Sequence, residues 1–324
     1  MKGQFTQVQL RKALPRIGWV LALGACLYGV TVVWADWGSV KEKIAAIGVL
    51  ILLGGALLVP VAYFFRFVRW HSTLRILGYR LKIWFNFRVY LTGLALTATP
   101  GKLGETARSI LLLPVGVATE DSLAALLVDR SSDVLGVCLL GAIATAVVED
   151  RASVLAWVGL TLLVISLAAS AALGNPRVVN WVAGYLAMGT HSKLRWFWSL
   201  AQKWAKLWSL PRALLFSVYG CLAYGVYALV FALFCHAASA GITTAQAVSV
   251  FASATLLGAA SMVPAGLGAM EAAMVLQLVE LQVSREAAIA VAICSRVVTL
   301  WLGVLIGVFA LLSVSRELGE LHGE

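Results

Sequence analysis

Long apolar stretches are the feature that most limits what this chain can fold into. Crossing the roughly 30 Å hydrocarbon core of a bilayer takes about 20 apolar residues of helix. Five stretches meet that requirement: residues 17–34, 44–65, 152–173, 213–238 and 287–313. A sixth, residues 123–148, is long enough but contains Asp129, Arg130 and Asp133. The sequence therefore predicts an all-α polytopic membrane protein with about six spanning helices, in a single transmembrane domain over residues 1–324.

The distribution of basic residues predicts how these helices are oriented. The formal net charge is +10, although charged residues make up only 12% of the chain and hydrophobic residues 61%. If the helices alternate in direction, the N-terminus and two basic segments fall on one side of the membrane. These segments hold Arg66, Arg69, Arg75, Arg80 and Lys82, and Arg177, Lys193, Arg195, Lys203, Lys206 and Arg212. Because cytoplasmic loops carry an excess of Lys and Arg, both termini are expected to lie in the cytoplasm. We expect the chain to be a multi-pass protein of the plasma (inner) membrane.

Signs of catalysis are absent from the sequence. The five cysteines lie in apolar segments without paired spacing, so neither disulfides nor a metal site is expected. The chain contains no H-E-x-x-H, G-x-S-x-G, Walker A or Rossmann glycine pattern. We therefore expect a protein that is not an enzyme, that uses no cofactor and that does not power transport by its own hydrolysis.

The second basic segment, residues 177–212, has the pattern of an interfacial helix. Apolar residues recur at helical spacing while Lys203 and Lys206 fall on another face, and the apolar set is Leu194, Phe197, Ala201, Trp204 and Trp208. This pattern predicts a cytoplasmic, basic, Trp-rich amphipathic helix lying in the membrane interface. It serves either as an anchor or as an element that recruits lipid.

Two regions too short or too broken for simple spans show an internal repeat. Residues 84–148 and 245–313 each contain an apolar segment rich in small residues, a Pro/Gly break and a second apolar segment. The breaks align, PGKLGE ending at Glu105 and PAGLGAME ending at Glu271. Arg130 follows Glu105, and Arg296 follows Glu271, by the same 25 positions. We predict two re-entrant helical hairpins forming the cores of an inverted repeat, an architecture that transporters build around a midplane site.

The breaks and their charged neighbours are the candidate functional residues. Irregular backbone at membrane depth is tolerated only inside protein or against a wet cavity, and an isolated charge there costs about 2.5–3.5 kcal/mol. We expect the charges to pair, Glu105 with Arg130 or Arg108 and Glu271 with Arg296. The candidate hairpin-break residues are Pro100, Gly101, Gly104, Pro264, Gly266 and Gly268. The candidate translocation residues are Lys102, Glu105, Arg108, Asp129, Arg130, Asp133, Glu271 and Arg296. Two interpretations stay open, a set of structural ion pairs that pin the hairpins and a polar binding path; Lys102 either snorkels to the cytoplasmic face or meets a headgroup.

Three motifs give the chain a resemblance to a known family. They are TPGKLGETAR at residues 99–108, LVDRSSDVLG at residues 127–136 and VPAGLGAMEAA at residues 263–273. Over residues 17–313 the chain resembles the flippase-like transmembrane region of lysylphosphatidylglycerol synthases and its stand-alone relatives. The resemblance implies movement of lipids between leaflets, with Glu105, Arg108, Asp129, Arg130, Asp133 and Glu271 carried over as the polar path. Because no aminoacyl-transferase domain follows Glu324, synthesis of lysylphosphatidylglycerol itself is not expected.

The leading hypothesis is a lipid translocase that moves an anionic or modified lipid, such as a phospholipid or a polyprenyl-phosphate-linked lipid, along a polar notch in the membrane. The competing hypotheses are a membrane enzyme that modifies a lipid headgroup and an ion-coupled carrier of a small solute. The expected partners are membrane lipids with an anionic headgroup or a polyprenyl phosphate. A second copy of the chain and a separate lipid-modifying enzyme are further candidates, and no nucleic acid is expected.

Overall fold

The computed structural model describes residues 37–95, 97, 106–149, 154–187 and 192–320, and all the regular structure in these residues is helical. We number the helices α1 to α13 in chain order. They are α1 Trp37–Ile47, α2 Val49–Ile76, α3 Ile83–Ala95, α4 Ala107–Leu112, α5 Thr119–Glu149, α6 Val154–Gly174, α7 Pro176–Ala187, α8 Ser192–Leu207, α9 Leu210–Ala237, α10 Thr244–Ala260, α11 Ala269–Glu280, α12 Arg285–Arg296 and α13 Leu302–Glu320. The predicted all-α class is confirmed.

Helix length and hydropathy make this an integral, multi-pass membrane protein. Among the residues just given, five segments are long and apolar enough to span: Val49–Ile76, Thr119–Val148, Val154–Gly174, Leu210–Ala237 and Arg285–Glu317. The last combines α12 and α13 through a π-helical turn, Val297–Trp301. Residues 17–34, the first predicted span, lie outside the described residues. Helices α3, α10 and α11 have 13, 17 and 12 residues, so each is shorter than a comfortable span.

Helix α2 differs from its sequence prediction at both ends. The predicted span 44–65 is interrupted at Gly48, whose φ of +79° suits glycine, and α2 then continues past Phe65 to Ile76. The expectation that Arg66 and Arg69 lie in a cytoplasmic loop is wrong, because both residues are inside α2 and buried. They stay in the helix because carboxylates on α5 compensate their charges.

The core brings α9 against both α2 and α5. The crossing of α5 and α9 is close: a Cβ added to Gly136 would lie 2.5 Å from the backbone nitrogen of Cys221, and one added to Gly220 would lie 2.5 Å from the carbonyl oxygen of Ser132. Small residues at a crossing let two helix backbones approach within the membrane. This contact fixes the position of the part of α5 that carries the acidic residues.

Helices α10 and α11 form a hairpin around the second predicted break. The turn Pro264–Gly266 has positive φ at Ala265 and Gly266, 53° and 67°, and Gly268 follows at 80°. The backbone N–H of Gly268 donates to the Glu271 carboxylate at 2.8 Å, which caps the start of α11. Pro264, Gly266 and Gly268 therefore make a sharp reversal. The residues of the first predicted break, Pro100, Gly101 and Gly104, lie outside the described residues.

The predicted interfacial segment forms two helices, α7 and α8, and α8 packs against α5 and α6. Leu200, Leu207 and Trp208 are buried in this contact, whereas Leu194 and Phe197 are exposed. The Lys203 ammonium group lies 2.8 Å from Asp121 and 3.0 Å from Glu120 at the start of α5. Partial burial lowers the pKa of Lys203, but hydrogen bonds to Asp121 and Glu120 outweigh that effect and raise the pKa above its ordinary value. Part of the basic charge thus serves to attach α8 to the helix that carries the acidic residues.

Candidate functional site

A group of charged residues lies inside the helix bundle where α2, α4 and α5 meet. Asp129 and Asp133, one turn apart on α5, face Arg69 of α2. The Arg69 Nε donates to Asp129 Oδ1 at 2.9 Å, and its Nη2 donates to Asp133 Oδ1 at 2.6 Å. Arg66 Nη2 donates to Asp133 Oδ2 at 2.9 Å. We call this group the first charge cluster; its described members are Arg66, Arg69, Arg108, Asp129, Arg130 and Asp133.

Burial makes these pairs obligatory. Arg69 and Asp129 are fully shielded from solvent, and Arg66 and Asp133 are nearly so. Removing one partner of a buried ion pair leaves an uncompensated charge, which is costly in a protein interior and more so in a membrane. The forked guanidinium of Arg69 donates one charge-assisted hydrogen bond to each of the two carboxylates. The first charge cluster therefore fixes α2 against α5.

Arg108 joins this cluster from the short helix α4. Its guanidinium lies 4.3 Å from the centre of the Tyr90 ring and 5.2 Å from that of Trp70, both on preceding helices. Its Nη1 is 3.7 Å from Asp129 Oδ2. Stacking on aromatic faces stabilises a buried guanidinium group. Of the residues predicted in this region, Arg108, Asp129, Arg130 and Asp133 come together, while Lys102 and Glu105 lie outside the described residues.

Arg108 has room for its side chain because residue 93 of α3 is glycine. A Cβ added to Gly93 would lie 2.1 Å from Arg108 Nε, which no real contact allows. We expect Gly93→Ala to displace Arg108 from Tyr90 and to lower the free energy of unfolding by about 1–3 kcal/mol. The apparent melting temperature of the purified protein measures this. The control is Gly54→Ala in α2, where an added Cβ meets nothing within 4 Å; an equal loss of stability in both variants would contradict the prediction.

Arg130 differs from the other arginines of the first charge cluster in being partly accessible. Its Nη2 lies 2.9 Å from Asp133 Oδ2, one turn along α5. A quarter of its side chain is exposed, compared with none of Arg69. Arg130 is therefore the arginine of this cluster best placed to meet a ligand without first breaking the buried contacts.

The second charge cluster consists of Glu271 and Arg296. Arg296 Nε donates to Glu271 Oε1 at 2.8 Å, so the pair predicted from the sequence forms. Arg296 Nη2 also donates to the carbonyl oxygen of Ala265 at 2.7 Å, in the strained turn of the hairpin. The arginine thereby holds the hairpin break against α12. A π-helical turn follows Arg296 directly, a distortion of the kind often found at functional sites.

One arginine of each charge cluster has the same position in its helix. Arg130 lies 11 residues after the first residue of α5, and Arg296 lies 11 residues after the first residue of α12. Each of these helices follows a Pro/Gly break and a shorter helix. This 11-residue offset from the start of the helix is the feature that the two arginines share.

A cavity of about 300 Å³ lies between the two clusters. Arg66, Arg130 and Asp133 line it from one side and Arg296 from the other. The remaining wall is mostly aromatic and aliphatic, with Tyr63, Tyr224, Tyr227, Phe251, Leu256 and Leu300 among its residues. Its volume is at the lower end of the range for small-molecule sites and is sufficient for a small polar headgroup.

A second cavity, of about 240 Å³, lies farther along α5 and α10. Its polar wall includes Thr145, Gln246, Ser249, Gln277 and Glu280, and the hydroxyl oxygens of Thr145 and Ser249 are 3.3 Å apart. Between the two cavities the helices touch, since a Cβ added to Gly141 would lie 3.1 Å from Ala252 Cβ. We call this closed contact between α5 and α10 the seam.

Sequence reasoning missed Arg66 and Arg69, which it assigned to a loop. A usable signal was present, because these arginines alternate with Phe65, Phe67, Val68 and Trp70, a composition that favours a continuing buried helix. Of the residues that the sequence singled out, Gly266, Arg130, Asp133 and Arg296 line the central cavity, whereas its aromatic wall was not predicted. Within the residues that the structure describes, no group of three or more His, Cys, Asp or Glu side chains is arranged to bind a metal ion.

Comparison with known proteins gives one family match. Residues 19–307 match the family described as the lysylphosphatidylglycerol synthase TM region. This range contains the segments predicted to form the two hairpins, both charge clusters and both cavities. A comparison with curated proteins found no match.

Proposed function

This chain belongs to the lysylphosphatidylglycerol synthase TM-region family, whose model matches most of its length, and we propose that it is a lipid translocase. Its substrate is an anionic or modified lipid, such as a phospholipid or a polyprenyl-phosphate-linked lipid. It moves this lipid between the leaflets of the plasma (inner) membrane without changing it chemically.

The observation that carries this proposal is the cavity between the charge clusters. Three arginines reach it from three helices: Arg66 from α2, Arg130 from α5 and Arg296 from α12. The other walls of the cavity are largely apolar. A phosphate that crosses the hydrocarbon region needs charged donors along its path, and guanidinium groups bind phosphate with strong paired hydrogen bonds. The cavity holds the headgroup while the acyl chains remain in the bilayer during the crossing.

The proposed architecture is an inverted repeat with two re-entrant hairpins and both termini in the cytoplasm. The shortness of α3, α10 and α11 supports hairpins that enter and leave on one side. The matching positions of Arg130 and Arg296 support the repeat. The orientation follows from Arg75, Arg80 and Lys82, which remain exposed beyond the buried part of α2.

The proposed route continues from the central cavity along the seam to the second cavity. The two cavities share the same pair of helices, α5 and α10, and are separated where Gly141 meets Ala252. A headgroup that follows this route needs the seam to open. Close-packed small residues suit such a contact, because few side chains must move when the helices part.

Leaflet exchange in liposomes tests the function. The full chain, reconstituted with fluorescent phosphatidylglycerol or a polyprenyl phosphate, is expected to speed transfer between leaflets above the rate in empty vesicles. Arg130→Gln should lower this rate at least about tenfold, because it removes a charged hydrogen bond worth roughly 1.5–3 kcal/mol to the crossing phosphate. This substitution removes the pair of Arg130 with Asp133 but leaves in place the buried pairs that Arg66 and Arg69 make with α5.

The matched control is Arg80→Gln, which removes an exposed arginine remote from the cavity lining and should leave the rate unchanged. Gel filtration and melting temperature verify that both variants are folded. Equal rates for wild type, Arg130→Gln and empty vesicles would reject the translocase. Mass spectrometry of the recovered lipids distinguishes a translocase from a lipid-modifying enzyme, because a chemically modified headgroup would favour the enzyme.

A further inference from the structure

A groove outside the central cavity lies between α3 and the end of α13. Its volume is about 660 Å³, and its lining is Arg88, Phe309, Leu312, Ser313, Arg316 and Glu317. None of these residues lines the central cavity. Four of them, Phe309, Leu312, Ser313 and Arg316, are spaced by three and four residues and so share one face of α13.

The groove changes from apolar to charged along this face. Phe309 and Leu312 are 65% and 51% exposed, while Arg316 lies about two turns beyond Phe309. Trp84 of α3 contacts the ring of Phe87 and is 75% exposed. Exposed tryptophans in membrane proteins are enriched at the boundary between hydrocarbon and headgroups. The charged end therefore lies at headgroup depth and the apolar end lies among acyl chains.

The charged end has an excess of positive charge. Arg88 donates to Ser313 Oγ at 2.9 Å and pairs with Glu317, so these groups hold one another in place across α3 and α13. Arg316 is exposed and makes no hydrogen bond or ion pair with the residues that the structure describes. Two guanidinium groups thus face one carboxylate, and Arg316 can bind an anion without breaking the existing pair.

We propose that this groove is a binding site for a phospholipid of net negative charge, separate from the translocation path. The phosphate contacts Arg316 and the edge of Arg88, and an acyl chain lies against Leu312 and Phe309. Basic pockets between membrane helices bind anionic headgroups in this way. The bound lipid bridges α3 and α13, and this site is independent of the proposed transport activity.

Photolabelling of the full chain in lipid nanodiscs tests the site directly. The probes are phosphatidylglycerol and phosphatidylcholine with a diazirine in one acyl chain, and peptide mass spectrometry locates the label. Helix α6 is an internal reference, because it is apolar, carries no charged residue and has no buried residue. The ratio of label on residues 305–317 to label on residues 154–174 is expected to be about fivefold higher for phosphatidylglycerol than for phosphatidylcholine, the effect of one arginine near an anionic headgroup.

Substitution and competition complete the test. Arg316→Gln should lower the phosphatidylglycerol ratio to the phosphatidylcholine value, whereas Arg80→Gln, which also removes one exposed arginine, should not. The comparison of the two lipids needs only the wild-type protein, so it decides the matter even if a variant does not fold. Equal ratios for both lipids, or no effect of Arg316→Gln, would overturn the site. Loss of the preference in excess inorganic phosphate would assign the groove to free anions instead and reject the lipid.

Discussion

Replacing Arg69 with alanine is expected to lower the free energy of unfolding by about 3–5 kcal/mol, the cost of leaving buried charges without their partner. Arg69 is fully buried and bridges Asp129 and Asp133, so its loss takes the hydrogen-bonded guanidinium from Asp129 and leaves Asp133 to Arg66 and Arg130. For a chain of this size the change corresponds to a fall in apparent melting temperature of roughly 10 °C, and to lower accumulation in the membrane. Fluorescence-detected gel filtration after heating measures both.

Two further variants separate this effect from a general loss of positive charge. Arg75→Ala removes an exposed arginine from the same helix and should change stability by no more than about 0.5 kcal/mol. Arg69→Lys keeps the charge but loses the fork that reaches both carboxylates, so its stability should fall between wild type and Arg69→Ala. If Arg69→Ala melted at the same temperature as Arg75→Ala, the first charge cluster would not be what holds α2 against α5.

A disulfide that joins α5 to α10 about one turn from the seam is expected to reduce lipid exchange to the rate of empty vesicles. The hydroxyl oxygens of Thr145 and Ser249 are 3.3 Å apart, so cysteines at both positions can bond after a small adjustment. The proposed route requires α5 and α10 to separate between the cavities, and a covalent link there prevents it. Exchange in liposomes is measured after mild oxidation and again after reduction.

The same molecules serve as their own control, because reduction should restore exchange. The single variants Thr145→Cys and Ser249→Cys carry the native cysteines and should be insensitive to oxidation. Full exchange by cross-linked protein would place the route elsewhere and leave the translocase itself intact. Absence of exchange in wild type would instead refute the function, so the two failures are distinguishable.

The sequence alone determined the class of protein and the local breaks in its helices. Apolar runs predict spanning helices because backbone groups in lipid must be hydrogen-bonded within the segment, a requirement that each run meets by itself. The turn at Pro264, Gly266 and Gly268 was predictable for the same reason, since positive φ and proline act locally. The pair of Glu271 and Arg296 was predicted by comparing two parts of the chain, because an acidic residue and an arginine recur in both parts at the same spacing.

Only the tertiary structure decided which charges meet. Arg66 and Arg69 lie 60 or more positions from Asp129 and Asp133, and no local pattern connects them. They meet because the glycine contact between α5 and α9, together with the packing of α9 on α2, fixes the faces that these helices present to one another. The cavity between the two clusters is likewise a property of the assembled bundle. Its walls come from α2, α3, α5 and all the helices from α9 to α13, with the turns around them, and the volume left between packed helices depends on how they cross.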